Sequence, residues 1–391
     1  MKLFIALILT VGQVALAQPA TQPATQPADF ADRWSLRTVN VEPIVDLPAE
    51  DNPLPLYWAG NPRALPVPDG IPVRGHILML ASHVFGLWPA DVVDGVKVSE
   101  TYFDHDLEAH LTKVRDQLTK PDAKPFFAGD AVREAHAIMI DFEKLGISWA
   151  RTGKETKAIA IRQIRERNPD AVRYMTDEEV EDLAKKEWER RANEVFVKTA
   201  NLIREVIPGT EVGFYNLTIE RRLWRDDWDL NAPLAIAWRK ENEVAMPTVM
   251  ASDVLFPAVY HFYKAQDISS DGMGYVMLNV GGARTLADKA NALDGGDRQV
   301  ISVAWGLYHD SNKDWKYQPI SEEDAHAAVF GAFHAGADGL AFWDNARGWR
   351  EHRGVPLTRF RSEVWPLYTE VFADPYAELL ALVRGNPELA D

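Results

Sequence analysis

The chain contains no cysteine. That excludes disulfide reinforcement, thiol catalysis, cysteine-held metals and a lipid anchor on cysteine, and a core of this size does not need cross-links. Positive charge is in short supply: 42 Lys and Arg stand against 58 Asp and Glu, a formal net charge of −16. Nucleic acid is therefore a disfavoured partner. Long hydrophobic runs are missing as well. Apart from the first residues, no stretch approaches the roughly 20 apolar positions that a bilayer span needs, so no membrane partner is expected. His309-Asp310 has no partner histidine at a helical spacing, so neither a metal nor another cofactor is expected.

Three regions are present. Residues 1–17, "MKLFIALILTVGQVALA", have Lys2, an apolar stretch and the small-x-small ending Ala15-Leu16-Ala17. They read as a secretory signal cleaved after Ala17, which implies a secreted or periplasmic protein. Residues 18–30 open with the repeat "QPATQPATQPA", a tether without core-forming residues. Residues 31–391 form one domain, because no second Pro- or Gly-rich linker interrupts them. Thirteen tryptophans and eleven tyrosines favour carbohydrate among small substrates, since aromatic faces stack on sugar C–H faces, although large aromatics also fill large cores.

Seven apolar runs mark strands: 54–60, 75–81, 135–143, 211–217, 253–261, 299–308 and 338–345. Most are continuous rather than alternating, which is the pattern of strands covered on both sides. Helical patterns lie between them. Residues 106–120 place Leu107, Leu111, Val114 and Leu118 on one face; a long helix opens at the capping box Thr176-x-x-Glu179; a third runs from Ser321 to Gly336. This alternation predicts an α/β protein, a distorted (β/α) TIM-like barrel with about seven to eight strands, with a doubly wound open sheet as the alternative.

In such barrels, sites are built where strands end. The run "AIMIDFE" ends in Asp141 and Glu143, two apart and so on the same side of a strand. Two carboxylates this close do not both ionise freely, and one that keeps its proton can protonate a departing glycosidic oxygen. Neighbours on one strand cannot flank a scissile bond from two sides. The pair therefore suits substrate-assisted hydrolysis, in which a 2-acetamido oxygen attacks its own anomeric carbon, Glu143 gives the proton and Asp141 orients the amide. Asp-x-Glu at a strand end is by itself a common motif, often solvated or paired with neighbours such as Lys144 and Arg151.

The flanking residues add to this reading. "IDFEKLGISWAR" resembles the "IDWEEWRPxWAR" segment of the hyaluronidases of glycoside hydrolase family 56, and four further segments between about residues 105 and 347 resemble that family in the same order. The resemblance implies a retaining cleavage next to an N-acetylhexosamine in a hyaluronan- or chondroitin-like polysaccharide. It implies Glu143 as proton donor, Asp141 as its acetamido-orienting partner, Tyr215 and Tyr260 as substrate contacts, and Trp343 as the wall of the acetyl pocket; Asp344, at the end of the same apolar run, is a further substrate-binding candidate by its position.

The chain also departs from the family. Phe142 stands where the family has tryptophan, and after Tyr215-Asn216 the family's "GFPDCYNY" is missing, which leaves open which tyrosine fills the acetamido subsite. The family's cysteine-rich C-terminal module is absent, while Arg221, Arg222, Arg225 and Arg239 offer cations for uronates. A non-catalytic carbohydrate-binding barrel, and a glycosidase or lyase acting on a different polysaccharide, remain as alternative readings.

Overall fold

The structure is a computed structural model that describes residues 54–59, 73–81, 85–88, 92–93, 96–97, 106–119, 135–142, 146–217, 233–264, 272–343 and 365–385. The signal, the tether, Glu143, Lys144, Arg221, Arg222, Arg225 and Asp344 lie outside the described residues. No helix among those described is long and apolar enough to cross a membrane.

Seven parallel strands close into a barrel: β1 (Leu56–Trp58), β2 (Val73–Ala81), β5 (Ala137–Asp141), β6 (Glu211–Tyr215), β7 (Val254–Phe256), β8 (Gln299–Ala304) and β9 (Gly339–Phe342). The short antiparallel pair β3 (Val92–Val93) and β4 (Val96–Lys97) stands apart from it and has no counterpart in the sequence reading. Closure is made by β9 against β1, with Leu340 opposite Leu56 and Phe342 opposite Trp58. The open-sheet alternative is thereby excluded. Six of the strands stop short of their apolar runs, whereas β2 fills its run of 75–81 and starts two residues before it. Asn216, directly after β6, already turns with a φ of 52°.

Helices α1 (Leu107–Thr119), α2 (Lys154–Arg167), α3 (Asp177–Val206), α4 (Pro233–Asn242), α5 (Gly272–Asp294), α6 (Glu322–His334) and α7 (Trp365–Gly385) follow in chain order. The capping box forms at α3: Thr176 Oγ1 accepts from the Glu179 backbone N–H at 3.2 Å, and Glu179 Oε2 accepts from the Thr176 N–H at 2.7 Å. Such a cap contributes about 1 kcal/mol. Val180, Trp188, Ala192, Val195, Phe196 and Ile203 of α3 are buried, while Leu183 is only half-buried. On α1 the expected stripe is present, with His110 buried beside Val114.

Strand parity sorts the core. Ile138, Ile140 and Phe142 face outward into the layer beneath α1 and α3, whereas Ala137 and Met139 face the lumen. Phe142 stacks on Trp88 with ring centroids 4.4 Å apart and touches Phe196 of α3 at 5.4 Å. It thus clamps the end of β5 from behind. In the lumen Gly213 leaves room that no other residue could: a Cβ there would sit 1.9 Å from the Val254 carbonyl oxygen and 2.9 Å from the Phe256 ring. The opposite, N-terminal end of the barrel is filled by a polar group. Tyr57 stacks on His136 at 4.6 Å, His136 Nε2 lies 3.6 Å from Glu211 Oε2, and Gln299 Nε2 donates to Glu211 Oε1 at 3.3 Å.

Candidate active site

All seven strands run the same way, so their C-terminal ends share one mouth. Asp141 is the last residue of β5 and pairs in register with Ala81 of β2. Tyr215 is the last residue of β6; Tyr260 lies four residues beyond β7 and Trp343 one beyond β9. These four line one cavity of about 120 Å³, together with Met79, Trp305, His309 and Asp310.

The walls are mostly aromatic and mutually packed. Tyr260 stacks on Trp343 with centroids 5.6 Å apart and planes at 24°, and Trp305 meets Trp343 edge-on at 4.9 Å and 75°. Tyr215 stands 6.1 Å from Tyr260. The Trp343 indole N–H donates to Met79 Sδ at 3.1 Å. Trp305 is buried, and its Nε1 has no hydrogen-bond partner among the described residues.

Acidic groups enter from two sides. Asp141 comes from β5, and Asp310 comes from the loop after β8, where its Oδ2 accepts from the Tyr317 hydroxyl at 3.1 Å and its Oδ1 lies 3.2 Å from His309 Nδ1. The His309 ring packs on Phe262 at 4.4 Å. Stacking aromatics with carboxylates at one end of a barrel can hold a sugar ring by its face and address its polar substituents.

A buried network beneath the cavity secures that loop. Tyr308 donates to Asp324 Oδ2; Ser321 Oγ donates to the same oxygen at 2.8 Å and accepts from the Asp324 N–H at 3.1 Å, capping α6. His261 Nδ1 lies 3.4 Å from Asp324 Oδ1, and the His261 carbonyl accepts from the His309 N–H at 2.8 Å. Burial alone would raise the Asp324 carboxyl, but the contact with His261 and the bonds from Tyr308 and Ser321 outweigh it and hold the group below its ordinary range. The Tyr308 phenol is pushed up by burial and by its bond to Asp324.

The structure therefore brings Asp141, Tyr215, Tyr260 and Trp343 together. Glu143 and Asp344 lie outside the described residues. Among the other residues after the strands, Tyr308 and His261 turn inward to Asp324, whereas His309 and Asp310, considered in the sequence only for metal binding, line the cavity. Met79 and Trp305 had no signal beyond lying in apolar runs. No group of three His, Asp or Glu able to hold a metal occurs among the described residues. A larger, shallow groove of about 300 Å³ lies outside the barrel between α1 and α3, where Arg115 pairs with Glu205 at 3.0 Å; it contains no strand-end residue.

The fold and cavity define a closed β/α barrel with an acid and stacked aromatics at its strand-end mouth. Two solved structures share that fold at 19% sequence identity. A monoclinic crystal structure of bee venom hyaluronidase matches with a TM-score of 0.59 over 83% of this chain and 99% of that one. The crystal structure of bee venom hyaluronidase in complex with a hyaluronic acid tetramer matches with 0.61 over 84% and 99%. The fold is thus hyaluronidase-like. No protein-family model matches the chain, and no curated protein matches its sequence.

Proposed function

We propose that the protein is a glycoside hydrolase of the hyaluronidase kind, related to glycoside hydrolase family 56, which cleaves a polysaccharide at an N-acetylhexosamine. The observation that carries the reading is the single cavity shared by Asp141, Tyr215, Tyr260 and Trp343, four residues drawn from the ends of four strands. The hyaluronidase-like fold supports it, as does the hyaluronic acid tetramer bound by a protein of that fold.

In this mechanism Tyr260, Trp343 and Trp305 hold the sugar against the cavity wall. The substrate's acetamido oxygen attacks its own anomeric carbon as the glycosidic bond breaks. Asp141 orients the amide and stabilises the positive charge that develops on it; Glu143 gives its proton to the departing oxygen. Water then opens the cyclic intermediate, Glu143 takes the proton back, and the anomeric configuration is retained. The bonds formed and broken are those of a hydrolysis, and Glu143 ends in its starting state.

Export by residues 1–17 belongs to the same proposal. Sequencing the N-terminus of protein recovered outside the cytoplasm should give Gln18 first. The decisive test is Glu143→Gln, assayed by product mass on a panel of hyaluronan, chondroitin and other N-acetylhexosamine polysaccharides. A folded variant that loses reducing-end release by about 10²–10⁴-fold is expected. Unchanged release removes the reading, and an unsaturated uronate in the products indicates a lyase instead.

A further inference from the structure

We propose that Met79 is the positioning residue for Trp343: its thioether sulfur accepts the indole N–H and holds that ring as the flat wall of the sugar cavity. The inference rests on the hydrolase reading for its consequence, though not for its geometry. Met79 lies on β2, on the lumen side of the strand, and both it and Trp343 line the cavity. The bond of 3.1 Å joins residues 264 apart in sequence. In the barrel order it reaches across β1, which stands between β9 and β2.

An indole N–H can only donate, and one left without an acceptor inside a site would seek water or the ligand. A carboxylate or amide acceptor there would compete for sugar hydroxyls. Thioether sulfur is a weak and polarizable acceptor that packs well at aromatic edges, so it satisfies the donor while offering the ligand an apolar surface. Tyr260 stacks parallel to Trp343, and Trp305 meets it edge-on. The bond to Met79 adds to those contacts a directional constraint in the plane of the ring. The sugar then meets a preorganised indole face, and the ordering cost on binding falls.

The experiment uses the full-length exported protein labelled with ¹⁵N at the tryptophan indoles. The Trp343 signal is identified by its disappearance in Trp343→Phe. In Met79→Leu, which keeps the volume and removes the acceptor, that signal should move upfield and its hydrogen exchange should speed by about tenfold, as for loss of one modest hydrogen bond. Met79→Gln, with a stronger acceptor at similar reach, should move it the opposite way, so the test remains decisive if the leucine variant does not fold. On a cleaved substrate, Met79→Leu should raise KM about threefold, less than loss of the Trp343 ring itself, with kcat within about twofold, and in a Trp343→Phe background it should leave KM nearly unchanged. An indole signal unmoved by the Met79 substitutions overturns the proposal, as does an equal KM effect with and without Trp343. If no glycan in the panel is cleaved, the hydrolase reading fails while the indole signal still decides the role of Met79.

Discussion

Tyr260 and Trp343 stack with centroids 5.6 Å apart and planes 24° from parallel, although one follows β7 and the other follows β9. Each ring therefore depends on the other for its place in the wall. Trp343→Ala is expected to weaken oligosaccharide binding by about three- to tenfold, the range of one aromatic contact. Titration calorimetry on the Glu143→Gln background measures this without turnover; affinity unchanged by the substitution would remove Trp343 from the site.

Asp141 lies where β5 ends, with Phe142 behind it wedged against Trp88. Asp141→Asn keeps the shape and loses the charge that, in the proposed mechanism, orients and stabilises the acetamido group. Its kcat should fall by about 10²–10³-fold while KM changes little, as for an interaction made mainly in the transition state. Steady-state kinetics on the substrate found by the panel checks this. A change confined to KM would assign Asp141 to binding alone.

Asp324 collects Tyr308, Ser321 and His261 in a site where both it and His261 are only 1% exposed. Asp324→Asn removes the charge those groups are arranged around and should cost about 2–4 kcal/mol of stability. Urea unfolding of the variant measures it. Because the His309 backbone hangs from His261, activity should fall as well.

The polar group at the barrel's N-terminal end makes stability pH-dependent. His136 is held below its ordinary value of 6.5, first by burial and then by Arg74. Between the folded value and 6.5 the unfolded chain binds more protons, so stability rises with pH across that window and is lost as pH falls through it. His326 and His334, both lowered by burial, act in the same direction. Glu211 is raised above 4.5, first by burial and then by Asp253, so its contribution is complete below 4.5 and is lost as pH rises through the folded value. In thermal unfolding, the histidine contribution appears as a Tm that falls with pH below 6.5. His136→Gln should flatten that slope, and Glu211→Gln should raise Tm at pH 7.

The seven barrel strands were legible because parallel strands covered on both faces are continuous apolar runs, and "AIMID" is nothing else. Helix α3 was legible from its cap and stripe. Helix α2 was not, since "KETKAIAIRQIRER" buries only Ala160, Gln163 and Ile164 and offers little apolar periodicity. Helix α5 buries Tyr275, Val276, Leu278, Asn279 and Val280 almost consecutively, along with Gly272, Gly282 and three alanines, so its buried residues wrap round the helix and leave little amphipathic signature. In the site, Asp141, Tyr215, Tyr260 and Trp343 could be picked out because polar or large aromatic residues at strand ends are conspicuous. Met79 could not: inside "GHILMLA" it is indistinguishable from a core methionine, and only the closed barrel brings Trp343 to its sulfur.

The barrel's seam, β9 against β1, also sets when the protein can act. Leu340 must find Leu56 before the cylinder closes, and pairing across so long a stretch of chain is slow compared with local helix formation. A nascent chain grown past Tyr260 but short of residue 343 holds Asp141 and Tyr260 but has no Trp343 to face them. The cavity therefore comes into being only after the last strand is synthesised and docked, and a polypeptide still growing carries an incomplete site.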